Sequence, residues 1–288
     1  MSYQISGTTR LGGLLGSPVA HSISPLMHNE SFRCLGLDLI YLCFDLQVED
    51  LSCVIDALRR MNVYGFNLTM PLKTAVIPYL DMLSEEASLI GAVNTVKNDH
   101  GRLIGYNTDG MGFMRSVRDQ GMDVSGKNVT VLGAGGAASA IAVQAALDGA
   151  ASLHLVSRQG RSWNRAQDLV RQICDRTPCL ADLTDLADMS ALADCLQKSD
   201  LLINATSVGM EPDTDASPIA DPDMLSPHLL VGDVIYHPRQ TLLLKQAADR
   251  GCRTFNGMHM LLYQGAAAFK IWTDQDMPVE YIRKIYFS

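Results

Sequence analysis

Apolar residues follow two alternating patterns along the chain, which predict strands and helices in turn. In the first hundred residues, strand-type runs at LGGLLG, IYLCFDL and VYGFNLT alternate with helical spacing at SPLMHNESFRCLG and VEDLSCVIDALRRM. This order indicates an α/β domain with a mostly parallel sheet. The next segment, AVNTVKNDHGRLIGYNTDG, predicts two short strands joined by the turn NDHG, because Asn, Asp and Gly tolerate the positive φ of a tight hairpin.

A second α/β pattern follows a predicted helix from about Gly110 to Gly121. Its strands are VTVLG, SLHLVS, DLLINATS and LLVGDVI, and its helices lie at GAASAIAVQAALDG, RAQDLVRQICDR and MSALADCLQ. The last apolar segment, MHMLLYQGAAAFKIW, has helical spacing, and we expect it to return to the first domain. The sequence therefore predicts an α/β protein of two domains: residues 1–113 completed by 258–288, and a doubly wound domain at 114–257.

Composition and charge exclude several classes of protein. The chain has 288 residues, 47% hydrophobic and 19% charged, which suits a globular protein. A net charge of -8 disfavours nucleic acid as a partner. Neither a signal peptide nor an apolar run long enough for a bilayer is evident, so we expect a cytoplasmic protein without a membrane partner. The seven cysteines and seven histidines lack metal-site spacing, so we expect reduced thiols and no metal.

The stretch VTVLGAGGAASA has the order strand, tight turn, helix. Gly133, Gly135 and Ala138 match G-x-G-x-x-G/A, in which glycines permit the turn and let the backbone approach a pyrophosphate. The phosphates would lie against free amides at the positive end of the helix. The pattern predicts a dinucleotide-binding Rossmann domain whose loop contacts the cofactor through Gly133, Ala134, Gly135, Gly136 and Ala137. The alternative is a packing turn without a ligand.

The end of the next predicted strand indicates which dinucleotide binds. NAD-specific folds usually place an acidic residue there, whereas this chain has Ser157 followed by Arg158, and then Gln159, Gly160 and Arg161. Arginine can pair with a 2'-phosphate, so NADP is favoured over NAD. Use of both cofactors stays open, as does an exposed face on which these arginines contact only solvent.

The stretch NLTMPLK places Lys73 just after a predicted buried strand. An enzyme that reduces a carbonyl by hydride transfer must also deliver a proton to the oxygen, and a lysine oriented by a carboxylate can do so. Asp109 in GYNTDG, at the start of a predicted helix, is the best-placed carboxylate. The alternative for Lys73 is a solvated side chain on a surface loop.

Eight stretches together resemble the shikimate dehydrogenase family, in order and over almost the whole chain. They are GSPVAHSISPLMHN from Gly16, NLTMPLK from Asn67, GAVNTV from Gly91, GYNTDG from Gly105, GAGGAA from Gly133, NATSVGM from Asn204, DVIYHP from Asp233 and GMHMLLYQGAAAF from Gly257. The resemblance implies an NAD(P)-dependent enzyme that interconverts shikimate and its ketone, with quinate as an alternative substrate. It also implies a substrate-binding first domain, a cofactor-binding second domain, and a monomer or homodimer.

The resemblance implies roles for individual residues. Lys73 and Asp109 would be the catalytic pair, and Ser22 and Ser24 would bind the substrate carboxylate. The other implied substrate contacts are polar or amphipathic side chains: Asn67, Thr69, Asn94, Tyr236 and Gln264. Further implied cofactor contacts are Thr206, Met210 and Gly257. Neutral donors and acceptors suit a small ring with a carboxylate and three hydroxyls, because an unpaired group there is costly.

Each role has a structural alternative. Ser22 or Ser24 can cap a helix, Asn94 and Asn107 can close hairpin ends, and Asp109 can cap the helix that follows it. Gln264 can be an exposed helical residue, and Tyr236 can be half-buried packing. At the level of the whole protein, the rivals are a dinucleotide-binding regulator without turnover, and a dehydrogenase acting on an amino acid, a folate or another small hydroxy acid.

Overall fold

Two compact units make up the protein. The structure, a computed structural model, describes residues 5–160 and 162–287. Contacts between residues divide the chain into one unit of residues 1–108 with 262–288, and a second unit of residues 109–261. The predicted domains have their boundaries a few residues away from these. The assignment of substrate binding to one unit and cofactor binding to the other stays a prediction.

The elements alternate along the chain as the apolar pattern predicts. The strands are β1 Arg10–Gly16, β2 Leu39–Asp45, β3 Gly65–Leu68, β4 Met82–Leu83, β5 Thr95–Asp99, β6 Arg102–Tyr106, β7 Asn128–Leu132, β8 Ser152–Ser157, β9 Leu180–Asp185, β10 Leu201–Asn204, β11 Leu230–Asp233 and β12 Arg253–Phe255. The helices are α1 Ser24–Leu35, α2 Leu51–Arg60, α3 Leu72–Ala75, α4 Glu85–Ile90, α5 Asp109–Asp119, α6 Gly136–Leu147, α7 Trp163–Arg176, α8 Met189–Lys198, α9 Leu242–Asp249, α10 Met258–Thr273 and α11 Val279–Tyr286. None of these helices combines the length and apolar character that crossing a membrane requires.

The sheet of the first unit is mostly parallel, as predicted: of its six described strands, five run in one direction and only β5 is reversed. Its strand order is β2-β1-β3-β5-β6-β4. Strands β1, β2 and β3 are parallel, whereas β5 pairs antiparallel with both β3 and β6. The predicted hairpin of β5 and β6 is confirmed, but the positive φ falls on His100 and Gly101 rather than on Asn98 or Asp99. Because a hairpin reverses the chain, the predicted hairpin accounts for strand β5, which runs opposite to the others.

Two layers of side chains cover the first sheet. An apolar core joins β1 and β3 to α2, with Leu15, Phe66 and Ile55 almost fully buried. A separate aromatic cluster surrounds His28 of α1: Phe32, Tyr41, Phe269 and Trp272. The last apolar helix packs on this sheet, where the indole Nε1 of Trp272 donates to the carbonyl of Val96, 2.9 Å away.

The sheet of the second unit is parallel throughout, in the order β12-β11-β10-β7-β8-β9. Counted from β7, this is the order 3-2-1-4-5-6 of a doubly wound dinucleotide fold. The sequence pattern predicted four strands in this unit and did not predict β9 and β12. Both lie at edges of the sheet, and β9 is exposed or only half-buried along its length. Edge strands therefore lack the buried apolar run on which the other assignments depended.

Candidate functional site

Buried polar side chains collect where the strands of the first sheet end. Asn67 lies near the end of β3, and its partner across the antiparallel pair is Thr95 of β5. Asn94 precedes Thr95, and Thr108 follows β6. All four side chains belong to residues that are at most 6% exposed. Such a cluster is stable only if its hydrogen bonds are satisfied internally, which makes its bonding pattern informative about what it can still offer a ligand.

The side-chain oxygen of Asn94 is the centre of this cluster. It accepts from the backbone amide of Thr108 at 2.8 Å and from the hydroxyl of Thr95 at 2.9 Å. The Nδ2 group of Asn94 donates to the hydroxyl of Thr108 at 3.0 Å. Asn107 donates to the carbonyl of Ala92 at 3.1 Å. Both asparagines thus tie β6 to the segment before β5, in agreement with the structural alternative for them, and Asn94 would combine that role with ligand binding.

The two serines of HSISP lie at the start of α1. Ser24 is its first residue and is buried, and the Ser22 hydroxyl oxygen accepts from the backbone amide of Ser24 at 3.2 Å. The residue in the N-cap position is Ile23, and no side-chain cap bond forms there. The alternative that Ser24 caps this helix is therefore wrong. Pro25 lies in the first turn, where its fixed φ suits a helix and its missing N–H costs no hydrogen bond.

Lys73 lies in α3, a short helix that follows β3, and not in a loop. Thr69 begins the turn: its amide donates to the carbonyl of Leu15, and its own carbonyl accepts from Leu72. The carbonyl of Lys73 accepts from the amide of Val93 at 2.8 Å. Residues Thr69 and Lys73 are half-buried. The backbone of this segment is therefore anchored at several points, which contradicts the alternative of a solvated surface loop.

The other candidate residues lie elsewhere in the two units. Asp109 is the half-buried first residue of α5, which begins the second unit, so its pairing with Lys73 stays a prediction. Gln264 is half-buried in the part of α10 that belongs to the first unit. Tyr236 is 41% exposed in the second unit, and its ring centroid lies 4.9 Å from that of His237.

A cavity of about 510 Å³ opens in the second unit where the strand order reverses, between β7 and β10. It is lined by the ends of β7, β8 and β10 and the loops that follow them: Leu132, Gly133, Ala134, Gly135, Val156, Ser157, Arg158, Gln159, Gly160, Ser162, Leu186, Ala205, Thr206, Ser207, Val208 and Pro218. The carboxyl ends of parallel strands at such a reversal are where doubly wound folds bind ligands.

The glycine loop has the features that a pyrophosphate requires. Gly133 has a φ of 111°, and a Cβ there would lie 3.0 Å from the carbonyl oxygen of Ala205. A Cβ at Gly135 or Gly136 would meet no atom within 4 Å, so the backbone of these residues faces open space. Gly135 has no side chain to cap α6, whose first amides therefore remain for an anion. The residues present fit a bound dinucleotide.

The opposite wall of the cavity depends on residues that the sequence interpretation did not single out. The oxygen of the Asn204 side chain accepts from the amide of Thr206 at 3.1 Å and from its hydroxyl at 2.7 Å. The Nδ2 group of Asn204 donates to the carbonyl of Val208 and to the carboxylate of Asp233. Asn204 thus folds the loop 205–208 that lines the cavity. Its position in the motif NATSVGM was the available signal.

Asp233 at the end of β11 is fully buried and stabilises the loop 205–208 through its hydrogen bond with Asn204. Its carboxylate accepts from Asn204, from the amide of Ile235 at 2.9 Å and from the hydroxyl of Thr241 at 2.8 Å. Burial raises the pKa of Asp233 above its ordinary value, against the opposing effect of these three hydrogen bonds. Thr241 also caps α9, so one carboxylate connects two loops and a helix start.

The residues at the end of β8 agree with the predicted selectivity for a phosphorylated ribose. Ser157 is buried, Arg158 is exposed, and both line the cavity. No Asp or Glu occurs among the described residues that line it. Arg161, the second arginine considered, lies outside the described residues. An unopposed guanidinium at this position favours an anionic group over a neutral ribose hydroxyl.

Of the predicted cofactor residues, six line the cavity and four do not. Those outside its lining are Gly136, Ala137, Met210 and Gly257. At Gly257 a Cβ would lie 2.0 Å from the carbonyl oxygen of Val234, so glycine is required for two backbone segments to approach, and its contact with the cofactor stays a prediction. Met210 is 45% exposed. Among the residues described, no group of three His, Cys, Asp or Glu is arranged to hold a metal.

Comparison with known proteins connects both units to one family. The model of the shikimate dehydrogenase substrate binding domain matches residues 14–96, and that of the shikimate 5'-dehydrogenase C-terminal domain matches residues 257–285. Shikimate dehydrogenase (NADP(+)) of Listeria monocytogenes is 46% identical over 284 residues, covering 99% of this chain and 98% of the relative.

Solved structures agree over the same length. The crystal structure of shikimate 5-dehydrogenase from Listeria monocytogenes in complex with shikimate and NAD has a TM-score of 0.96 at 46% identity, covering 99% of each chain. Quinate dehydrogenase from Corynebacterium glutamicum in complex with NAD has a TM-score of 0.85 at 31% identity, covering 97% of this chain and 99% of its own.

Proposed function

The chain belongs to the shikimate dehydrogenase family, and on that premise we propose that it interconverts shikimate and 3-dehydroshikimate with NADP as the preferred cofactor. The observation that carries the proposal is the 46% identity to a shikimate dehydrogenase (NADP(+)) over 99% of this chain and 98% of the relative. The buried polar cluster of the first unit and the cavity of the second supply the two kinds of surface that this reaction needs.

The polar cluster suits a small polyhydroxylated ring. Asn67, Thr69, Asn94 and Gln264 would address the ring hydroxyls, while Ser22 and Ser24 would donate to the carboxylate. Fixed amides and hydroxyls discriminate well, because a ligand that fails to match them leaves a buried polar group unpaired. Tyr236 would also contact the substrate.

Lys73 and Asp109 would manage the proton. When bound, the nicotinamide cofactor accepts the hydride from the ring carbon that bears the reacting hydroxyl, or returns it to the ketone. The amine form of Lys73 would take the hydroxyl proton during oxidation, its ammonium form would return that proton during reduction, and Asp109 would orient the Lys73 side chain. The half-buried position of both residues excludes part of the competing solvent.

The cofactor would lie along the glycine loop, with its pyrophosphate at the start of α6. Arg158 would pair with the 2'-phosphate, and Ser157 and Thr206 would complete the wall. We expect Arg158→Ala to raise the KM for NADP⁺ by about tenfold or more, the usual scale of a lost charge-assisted contact, with the KM for NAD⁺ within about twofold. An equal rise for both cofactors would contradict this role.

The experiment that tests the activity measures initial rates with shikimate and with quinate, each with NADP⁺ and with NAD⁺. Turnover of shikimate with NADP⁺ supports the proposal. Turnover of quinate as well would show that the enzyme accepts both ring acids. Absence of turnover in all four assays would refute the proposal and favour a dinucleotide-binding regulator.

The proton-transfer role has its own test. We expect Lys73→Ala to lower kcat by roughly 10²- to 10⁴-fold, the usual share of general acid-base catalysis, with a smaller change in KM. Lys97→Ala is the matched control, since Lys97 belongs to the same unit and its ammonium pairs with the exposed carboxylate of Asp274 at 3.6 Å. A loss of less than about threefold for Lys73→Ala would contradict the role.

A further inference from the structure

We propose that Tyr41 is a positioning residue, which locks the side-chain amide of Asn67 so that its carbonyl oxygen alone faces the substrate. The inference rests on the proposed function, in which Asn67 binds a ring hydroxyl. It adds that Asn67 acts only as an acceptor, and that the selectivity of this contact is set by a tyrosine on a different strand.

The hydrogen bonds of Asn67 leave it one free site. Its Nδ2 group donates to the carbonyl of Asn94 at 3.1 Å and to the hydroxyl of Thr95 at 2.9 Å. Both N–H groups are therefore used. Its Oδ1 atom accepts from the hydroxyl of Tyr41 at 2.7 Å. Since an amide oxygen has two lone pairs, one remains for a ligand, and a ligand can pair with it only by donating a proton.

The orientation of the amide follows from its surroundings. The backbone carbonyl of Asn94 can only accept, so the atom of Asn67 that faces it must be the nitrogen. The Thr95 hydroxyl donates its proton to the Asn94 side chain at 2.9 Å, so toward Asn67 it too acts as an acceptor. A flipped Asn67 would place its oxygen against both acceptors. The tyrosine hydroxyl, on the other side, is the donor that completes the pattern.

Tyr41 is itself held in place. Its backbone is bound to the side chain of Asn29 on both sides. The Tyr41 amide donates to Oδ1 of Asn29 at 2.8 Å, and the Tyr41 carbonyl accepts from Nδ2 of Asn29 at 2.8 Å. Its ring is fully buried and stacks on His28, with centroids 4.6 Å apart. Burial raises the pKa of Tyr41 well above its ordinary value, so the hydroxyl keeps its proton at neutral pH.

This arrangement makes a prediction about ligands. A ring hydroxyl at the Asn67 position is recognised because it donates. A fluorine or hydrogen there leaves a buried lone pair unpaired, which is costly while Tyr41 prevents the amide from turning away. Without the tyrosine hydroxyl, the amide can shift, so the intact ligand binds less tightly and the defective ligand is penalised less.

The test is Tyr41→Phe, which removes one oxygen and keeps the ring. Tyr64→Phe is the matched control: Tyr64 lies in the same buried aromatic cluster, with its ring 5.6 Å from Trp272, and its hydroxyl contacts the carbonyl of Ile40 at 3.4 Å. For each enzyme, KM and kcat are measured for shikimate, together with inhibition constants for three analogues in which one ring hydroxyl is replaced by fluorine.

We expect Tyr41→Phe to raise the KM for shikimate by about 3- to 30-fold and to change kcat by less than about threefold, on the scale of one buried hydrogen bond. For one of the three analogues, the ratio of its inhibition constant to the KM for shikimate should fall at least about threefold relative to wild type, which is the coupling expected for groups in one network. The ratios for the other two analogues and the KM for NADP⁺ should stay within about twofold of the wild-type values. The same holds for every constant measured with Tyr64→Phe.

Two results would overturn the inference while leaving the proposed function intact: unchanged constants for Tyr41→Phe, or an equal weakening of all ligands, which a merely structural role would produce. A wild-type enzyme without shikimate turnover would instead refute the proposed function itself and the inference with it. If Tyr41→Phe fails to fold, Thr95→Val removes the acceptor on the opposite side of the same amide, and the same selective loss of discrimination is expected.

Discussion

Helices α5 and α6 of the second unit approach closely at Gly110, and this contact carries a prediction about stability. A Cβ at Gly110 would lie 2.3 Å from the carbonyl oxygen of Ala140, 2.9 Å from its carbonyl carbon and 2.7 Å from Cβ of Gln144. Two of these atoms are backbone of α6, so a rotamer change cannot relieve the clash. The two helices would therefore have to move apart near the start of α5, next to Asp109.

Two effects of Gly110→Ala oppose each other. Alanine is a better helix former than glycine by about 1 kcal/mol, which alone would stabilise α5. Overpacking typically costs about 1–3 kcal/mol, and a backbone clash belongs at the upper end of that range or beyond it. We therefore expect a net decrease of about 1–2 kcal/mol in the free energy of unfolding, and a Tm lower by about 2–8 °C.

Urea unfolding followed by circular dichroism measures the loss, and hydrogen exchange of peptides from α6 locates it in the second unit. Gly136→Ala is the control: it lies in the first turn of α6, where a Cβ would meet no atom within 4 Å, and its stability should be unchanged or slightly higher. A Gly110→Ala protein at least as stable as wild type would refute the argument, because helix propensity would then outweigh packing.

Two further substitutions test other buried features. Gly257→Ala places a Cβ 2.0 Å from a backbone carbonyl oxygen and should lower the free energy of unfolding by more than about 2 kcal/mol. Gly160→Ala is the control, because its Cβ would meet no atom within 4 Å and stability should not change. A higher KM for the cofactor in Gly257→Ala without any loss of stability would instead assign Gly257 to binding. Burial lowers the pKa of His28 to about 3, so unfolding takes up a proton below about pH 6.5 and wild type loses stability as the pH falls from there toward 3. His28→Leu removes this dependence. The free energy of unfolding of the variant minus that of wild type should therefore rise by roughly 2–3 kcal/mol when the pH is lowered from 7 to 4.5. Parallel profiles of unfolding free energy against pH for the two proteins would contradict the assignment.

Much of the fold is encoded locally in this chain and could be predicted. Strands and helices that bury one face repeat apolar residues at the period of that element, so β1, β7 and α6 are evident in the pattern. The turn residues predict the hairpin of β5 and β6, and the spacing of the glycines predicts the glycine loop. The predicted mostly parallel sheet of the first unit is confirmed, and the predicted hairpin supplies its antiparallel strand, β5.

Edge strands and short helices were missed for a physical reason. Strand β9 buries little of its surface, β4 has two residues and α3 has four. Elements of this kind are stabilised by the neighbours on which they pack rather than by their own periodicity. The position of Lys73 in a helix, anchored through the amide of Val93, is a result of that packing and is not visible in NLTMPLK.

The candidate site divides in the same way. Residue types and their order along the chain determined which family the protein resembles, which side chains carry the chemistry, and that a phosphorylated dinucleotide would be favoured by Arg158. Only the tertiary structure decided that Asn204 and Asp233 shape the cavity wall, that Gly257 serves backbone packing, and that Tyr41 bonds Asn67 from another strand. Those contacts join residues far apart in sequence, and a hydrogen bond depends on the direction and distance of two groups, which no spacing along the chain specifies.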